Sequence, residues 1–371
     1  WRDGAYFDDI LERIARELVA KNDWKTLIKV FTIIRGRGAP VSTARCAWII
    51  GRAIEEGLLS PEEMRQAGTA ANLQPQSVYA QASLPMSRLK ELSVDYKRAA
   101  YEAGDTSLYY RCLSAAALEK PFLVLNNAHE SSKKNAEKLS DAMEFLLGFF
   151  IHNVPEFSTP YIKSMEKDLT PEELRALAEA LGKAGMRAES MRLVSLYINK
   201  ENYKPAKRDF ELWFPRPYGE LVQKYADETG ISQALLYGLI RTESAFQSGV
   251  VSHAGAIGLT QLMPATAEEM AASILKAGGP DYAASARGID LTDPGANIHI
   301  GAYYLAFLMT RFEDGTLALL AYNGGINRIR RWKAASALPP DLFLESIALS
   351  ETREYGRKVT AAAAVYRQLY E

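Results

Sequence analysis

Helical periodicity constrains this chain more than any other feature. Ile10, Leu11, Ile14 and Leu18, then Leu27, Ile28, Phe31 and Ile34, recur at the three- and four-residue intervals that line one face of a helix. No alternating β-branched run longer than a few residues appears in residues 1–212, so a sheet has no template there. Asp23 is placed to cap the second of these helices, and Gly36-Arg37-Gly38-Ala39-Pro40 ends the run. Ser60-Pro61-Glu62-Glu63 and Thr170-Pro171-Glu172-Glu173 each supply a cap, a proline at the first helical position and a glutamate at the third, the signature of a capping box. Residues 108–118, 136–150 and 160–165 read as further helices with short connections. The expectation is an all-α array of helical pairs stacked into a curved superhelix, without the strict period of a formal repeat family.

Trp213-Phe214-Pro215-Arg216-Pro217-Tyr218 marks the sharpest boundary, because two prolines in three positions stop a helix and fix an extended crossing. The expected domains are therefore a helical scaffold over 1–212 and a second domain over 213–371, with the linker aromatics packed against the latter.

Within that second domain, Glu243 ends an apolar helical stretch, with Ile240, Leu239, Leu236 and Leu235 at minus 3, 4, 7 and 8. A lone glutamate beside Arg241 is more often a surface charge or half of an ion pair. Its company shifts the balance. Ser252-His253-Ala254-Gly255-Ala256-Ile257-Gly258-Leu259-Thr260-Gln261 follows, with room for a very small β-hairpin near 248–258. Ala321-Tyr322-Asn323-Gly324-Gly325 closes a second apolar helical run, and Glu345-Ser346-Ile347 and Ser350-Glu351-Thr352-Arg353-Glu354-Tyr355 come after it. Polar residues at four separated places, each at the edge of an apolar segment, suit a cleft assembled by helix packing. A carboxyl sheltered among apolar side chains keeps its proton to higher pH, as a general acid requires.

These four motifs, with Leu262-Met263-Pro264-Ala265-Thr266-Ala267 after Gln261 and Asn297-Ile298, Gly301 and Tyr304-Leu305 further on, resemble the catalytic domain of the soluble lytic transglycosylases of bacterial cell-wall metabolism. The resemblance runs from about Trp213 to Glu371 and implies a goose-type-lysozyme-like fold; in the helical half it is weak and rests on order alone. It implies that Glu243 is the single catalytic acid and later base, and that Ser252 lies beside the sugar's reacting end. Gln261 and Met263 would line the cleft, Tyr322 and Asn323 would contact the substrate's N-acetyl groups or the acid, and Glu345 and Tyr355 would close the groove. Two positions depart from the family pattern: Thr260 stands where methionine is usual, which is expected to alter an apolar contact in the groove, and Gly324 stands where alanine is common.

Most glycoside hydrolases use two carboxyls, whereas the motifs here supply one. Glu268 and Glu269 read as a solvated face. A single acid fits a substrate that carries its own nucleophile, such as the C6 hydroxyl of N-acetylmuramic acid. The implied product is a 1,6-anhydromuramoyl end. Two other readings remain open on the residues: a lysozyme-type hydrolase on the same fold, and a helical scaffold that binds a glycan or protein partner without catalysis.

Composition bounds the partners. Lys and Arg number 44 against 45 Asp and Glu, a formal net charge of −1, so nucleic acid is not expected. No run reaches the length of a membrane span, and four histidines and two cysteines form no metal-ligand pattern, so no metal or cofactor is expected. Cys46 and Cys112 both lie in apolar helical contexts and read as two buried thiols. The chain opens at Trp1 with no signal-like segment, which fits a processed or trimmed form. The implied substrate, peptidoglycan strands, places the protein in the periplasm or another envelope space, and the helical half leaves room for cell-wall protein partners.

Overall fold

The computed structural model describes residues 7–37, 39–71, 86–103, 108–123, 140–200, 203–284 and 288–371. The fold is all-α. The first part runs α1 (Asp8–Ala20), α2 (Trp24–Ile34), α3 (Pro40–Glu55), α4 (Pro61–Ala70), α5 (Met86–Ala103), α6 (Leu108–Ala117), α7 (Asp141–Ile151), α8 (Thr159–Met165), α9 (Pro171–Lys183), α10 (Arg187–Tyr197) and α11 (Lys207–Trp213). The remainder runs α12 (Gly219–Thr229), α13 (Gln233–Ser244), α14 (Pro264–Lys276), α15 (Pro294–Phe312), α16 (Gly315–Gly324), α17 (Ile326–Ala334), α18 (Pro340–Ser346) and α19 (Ser350–Tyr370). Near the expected hairpin, extended pairing amounts to isolated antiparallel bridges, Val251 to Ile257 and Ile257 to Leu262.

Local signals account for the helix starts. The Ser60 hydroxyl accepts the Glu63 N–H at 3.3 Å while the Glu63 carboxylate accepts the Ser60 N–H at 2.8 Å. Thr170 and Glu173 repeat this reciprocal pair at 3.2 and 3.0 Å. Asp23 accepts the Thr26 N–H at 3.0 Å at the start of α2. Each cap satisfies donors that the first turn leaves open and is worth about 1 kcal/mol.

Packing divides the chain into two units that do not follow chain order. One comprises Trp1–Phe122 and Phe307–Ala361, the other Leu123–Ala306 and Ala362–Glu371. In the first, α3 is buried on nearly every face from Ser42 to Ile54. Its Gly51 lets α5 approach: a Cβ there would lie 3.2 Å from both the Ser93 carbonyl oxygen and Tyr96 Cβ. The Ser93 hydroxyl donates to the Gly51 carbonyl at 3.0 Å. Cys46 and Cys112 are both buried in this unit, and burial pushes the Cys46 thiol up to about 12.

In the second unit α9 and α10 pair, and the buried Ser190 hydroxyl donates to the Ala178 carbonyl at 2.7 Å. The linker aromatics pack as expected against the final turns of α19. Phe214 is buried edge-on to Tyr366, with ring centroids 5.5 Å apart. Tyr366 and Tyr370 donate their hydroxyls to the carbonyls of Pro215 and Phe214 at 2.9 and 2.8 Å, and Arg216 lies over the Tyr370 ring at 3.9 Å.

Candidate active site

Glu243 lies in the last turn of α13, whose Leu236, Leu239 and Ile240 are fully buried, and is itself half-buried. Arg241 turns to the linker: its Nε donates to the Trp213 carbonyl at 3.1 Å, and its guanidinium lies 4.2 Å from the Phe214 ring centroid. The turn after the glutamate is strained, because Ala245 and Phe246 both take left-handed backbone angles, φ 49° and 66°, without being glycine. Two anchors hold it there. The Phe246 ring is buried, and the Ser244 hydroxyl lies within hydrogen-bonding reach of the Leu259 carbonyl at 2.8 Å and the Ile240 carbonyl at 3.2 Å. The end of α13, with Glu243 in its last turn, is thereby tied to the following loop.

That loop sits on α15. Asn297 is wholly buried, and its Oδ1 accepts from both the N–H and the hydroxyl of Thr260 at 2.8 Å. Its Nδ2 donates to the carbonyls of Ile257 and Leu291 at 3.0 and 2.9 Å. One side chain thus satisfies backbone groups of two segments that water cannot reach. Gly258, at φ 82°, passes so close that a Cβ would fall 2.2 Å from the Leu291 carbonyl oxygen. Gly301, one turn beyond Asn297, leaves space for Thr260, whose hydroxyl oxygen would lie 2.3 Å from a Cβ there. Thr260 is 0% exposed, so the expected change of an apolar groove contact does not arise at this position. The threonine seats the loop instead.

The other expected residues of this loop fall on its accessible side. Ser252 is part-exposed, and its hydroxyl oxygen accepts the Ala256 N–H at 3.0 Å, leaving the hydroxyl proton to donate elsewhere. Gln261, at φ 48°, donates its amide to the carbonyls of Gly258 and Val250 at 2.9 and 3.2 Å. Met263 is 44% and Val251 59% exposed, which gives the loop an apolar surface. Glu268 and Glu269 are exposed on α14, as expected.

The remaining expected residues gather in the first unit. Tyr322 and Asn323 lie in the last turn of α16, and the Thr352 hydroxyl donates to Asn323 Oδ1 at 2.7 Å. The Tyr322 ring is nearly parallel to that of the buried Tyr355, 11° apart in plane with centroids 6.4 Å apart. Gly324 brings α16 close to α19, since a Cβ there would meet Thr352 Cγ2 at 3.0 Å.

Glu345, expected at the groove, is 1% exposed, and both its oxygens face partners. The Tyr110 hydroxyl lies 3.0 Å from each, and Arg357 Nη2 is ion-paired with Oε2. Arg45 Nε donates to the Tyr110 oxygen at 3.0 Å. Glu12 of α1 accepts from Arg353 at 3.0 Å and Arg357 at 2.7 Å, and pairs with Arg45 at 3.3 Å. Burial pushes the Glu12 carboxyl up, but Arg45, Arg357 and Arg353 outweigh it and hold the group at about 2. Glu345 therefore belongs to an interior charge network that fixes α18 and α19. Glu12, Arg45, Tyr110 and Arg357 were not singled out in the sequence, where the only clue is a pair of arginines, 353 and 357, four residues apart in an otherwise apolar stripe. Among the described residues no group of three His, Cys, Asp or Glu side chains is placed to hold a metal, and no helix is long and apolar enough to cross a membrane.

Comparison with known proteins bears on the same segment. The profile of the family described as Transglycosylase SLT domain matches residues 220–340. The soluble lytic murein transglycosylase of Salmonella typhimurium is 38% identical over 157 residues, covering 42% of this chain and 23% of the relative. That of Escherichia coli K12 is 37% identical over the same length, with the same coverage. The chain thus spans less than a quarter of these relatives. Among solved structures, an inactive mutant of the lytic transglycosylase Slt from Pseudomonas aeruginosa superposes with a TM-score of 0.61 at 24% identity, covering 97% of this chain and 57% of that one. The 70-kDa soluble lytic transglycosylase of Escherichia coli gives 0.56 at 21% identity, covering 96% and 61%. At these identities the structural likenesses establish the fold.

Proposed function

We propose that the chain, whose residues 220–340 match the Transglycosylase SLT domain, cleaves the β-1,4 bond between N-acetylmuramic acid and N-acetylglucosamine in peptidoglycan without consuming water. The reading rests on one observation above all: a single glutamate, Glu243, at a helix end locked by a strained turn and by the Ser244 tether.

In this reading Glu243 gives its proton to the glycosidic oxygen as the bond to C1 breaks, and the acetamido oxygen of the muramic residue relieves the positive charge at C1. The carboxylate left on Glu243 then takes the proton of the C6 hydroxyl while that oxygen bonds to C1. The glutamate ends as it began, and the products are a free N-acetylglucosamine 4-hydroxyl and a 1,6-anhydromuramoyl end. Proton transfer by a placed side chain contributes about 100- to 10,000-fold. Orientation supplies the rest, with Ser252, Gln261 and the exposed Met263 lining the groove, Tyr322 and Asn323 meeting the N-acetyl groups, and Tyr355 backing Tyr322.

Residues 213–371 carry the chemistry in this account and residues 1–212 shape its surroundings. Such a substrate locates the reaction in the periplasm or another envelope space. The test is Glu243→Gln on purified glycan strands: turnover should fall by at least 1,000-fold, at the order of a lost acid and base, while strand binding persists. A variant that kept most of its activity would sink the assignment.

A further inference from the structure

A cavity of about 160 Å³ lies between the linker, the first turns of α13 and the end of α19, walled by Arg216, Gln233, Tyr237, Tyr366, Tyr370 and Glu371. All six belong to the second packing unit. The volume is below the ~300 Å³ at which sites for drug-sized ligands begin, so an occupant has only a few heavy atoms. The walls are set before anything enters. Tyr237 stacks on Tyr366 with ring centroids 5.1 Å apart and Tyr366 on Tyr370 at 6.0 Å, and the linker carbonyls hold the hydroxyls of Tyr366 and Tyr370.

Folding alone does not account for Tyr237. It is 3% exposed, yet among the described residues its hydroxyl has no hydrogen-bond partner. A buried tyrosine hydroxyl ordinarily finds an acceptor, because leaving it without one forfeits its hydration. Burial pushes the Tyr237 hydroxyl up, against the opposing pull of Arg216, so it stays a proton donor. The Arg216 guanidinium rests on the Tyr370 ring, and among the described residues no carboxylate is ion-paired with it. The acids nearby face other cations: Glu211 lies 3.8 Å from Lys207 and 3.9 Å from Arg208, and Glu371 lies 3.8 Å from Arg367. A phenol proton, a guanidinium and an amide thus line one small space with aromatic sides, a donor set for a carboxylate. Glu371 on the same wall disfavours a second negative charge and complements a positive one.

We propose that this cavity is a binding site for a small free amino acid, with its carboxylate on Arg216 and the Tyr237 hydroxyl and its ammonium on Glu371. Guanidinium matches carboxylate in two-point geometry, and the tyrosine rings cover the apolar body. Gln233 and Tyr237 lie on α13 and Arg216 on the linker, so an occupant couples the linker to the helix whose last turn carries Glu243. Binding needs no turnover and is measured without it.

The test is calorimetric titration of the full chain with L-alanine, and with acetate, N-acetyl-L-alanine, methylammonium and inorganic phosphate alongside. Alanine should bind saturably at one site in the millimolar range, as a ligand of few atoms allows. Acetate and N-acetylalanine should bind about tenfold more weakly, for want of the ammonium, and methylammonium and phosphate not measurably. Y237F should weaken alanine about tenfold, the size of one hydrogen bond to a charged group. Its unliganded thermal midpoint should stay at or above the wild-type value, because the hydroxyl has no protein partner to lose. R216Q should weaken alanine and acetate alike, and E371Q alanine alone. No saturable heat with alanine, equal affinity in wild type, Y237F and R216Q, or a lowered unliganded midpoint in Y237F would overturn the proposal. Phosphate or N-acetylalanine binding as tightly as alanine would overturn it too, the first marking a plain anion site and the second a site for peptide C-termini.

Discussion

Asn297 shows how much rests on one buried amide. It satisfies the Thr260 N–H and hydroxyl and the carbonyls of Ile257 and Leu291, so Asn297→Ala leaves several interior polar groups without partners. The expected cost is about 3 kcal/mol, summing net bond losses and desolvation, read as a lowered urea midpoint with unchanged slope. Activity should fall further than stability alone dictates, because Gln261 and Ser252 belong to the same loop; a midpoint equal to wild type would remove Asn297 from this role. The sequence made Asn297 visible only as part of a resemblance. Nothing in its spacing reveals that it serves two segments. Glu243 was legible because its apolar stripe and the glycines that follow are local signals. Thr260 and Glu345 were misread for the same reason in reverse: whether a polar side chain faces a groove or the interior depends on distant partners, Gly301 and Asn297 for one, Tyr110 and Arg357 for the other.

At the level of elements, the capping boxes at Ser60 and Thr170, the Asp23 cap and the proline linker were readable residue by residue, since each is satisfied within a few positions. The tie between α1 and α19 was not, because Glu12 meets Arg353 and Arg357 across more than 340 positions of sequence. Its titration gives a signed prediction. The Glu12 carboxyl is held at about 2, below its ordinary 4.5, so its contribution to stability is full above 4.5 and is lost as pH falls toward 2. Glu12→Gln should therefore be less stable than wild type at pH 7, and the difference should shrink steadily as denaturation is followed from pH 4.5 downward. A gap that stayed constant over that range would show that the carboxylate is not charge-paired in the folded state.

For the molecule as a whole, all-α architecture followed from periodicity, but the partition of the core did not. Residues 307–361 pack in one unit with residues before 123, and Tyr110, Arg45 and Glu12 complete the charge network around Glu345 and Arg357. A fragment cut at Trp213 would strip these partners and leave buried charges uncompensated, so it should lack the cooperative unfolding transition of the full chain in calorimetry. A sharp, fully reversible transition in the fragment would show that residues 213–371 stand alone. The chemistry itself is tested most directly by the mass of the released muropeptides. If Glu243 recovers its second proton from the C6 hydroxyl, wild-type digests contain 1,6-anhydromuramoyl ends and E243Q digests contain none; products heavier by one water would contradict the account and make the protein a hydrolase.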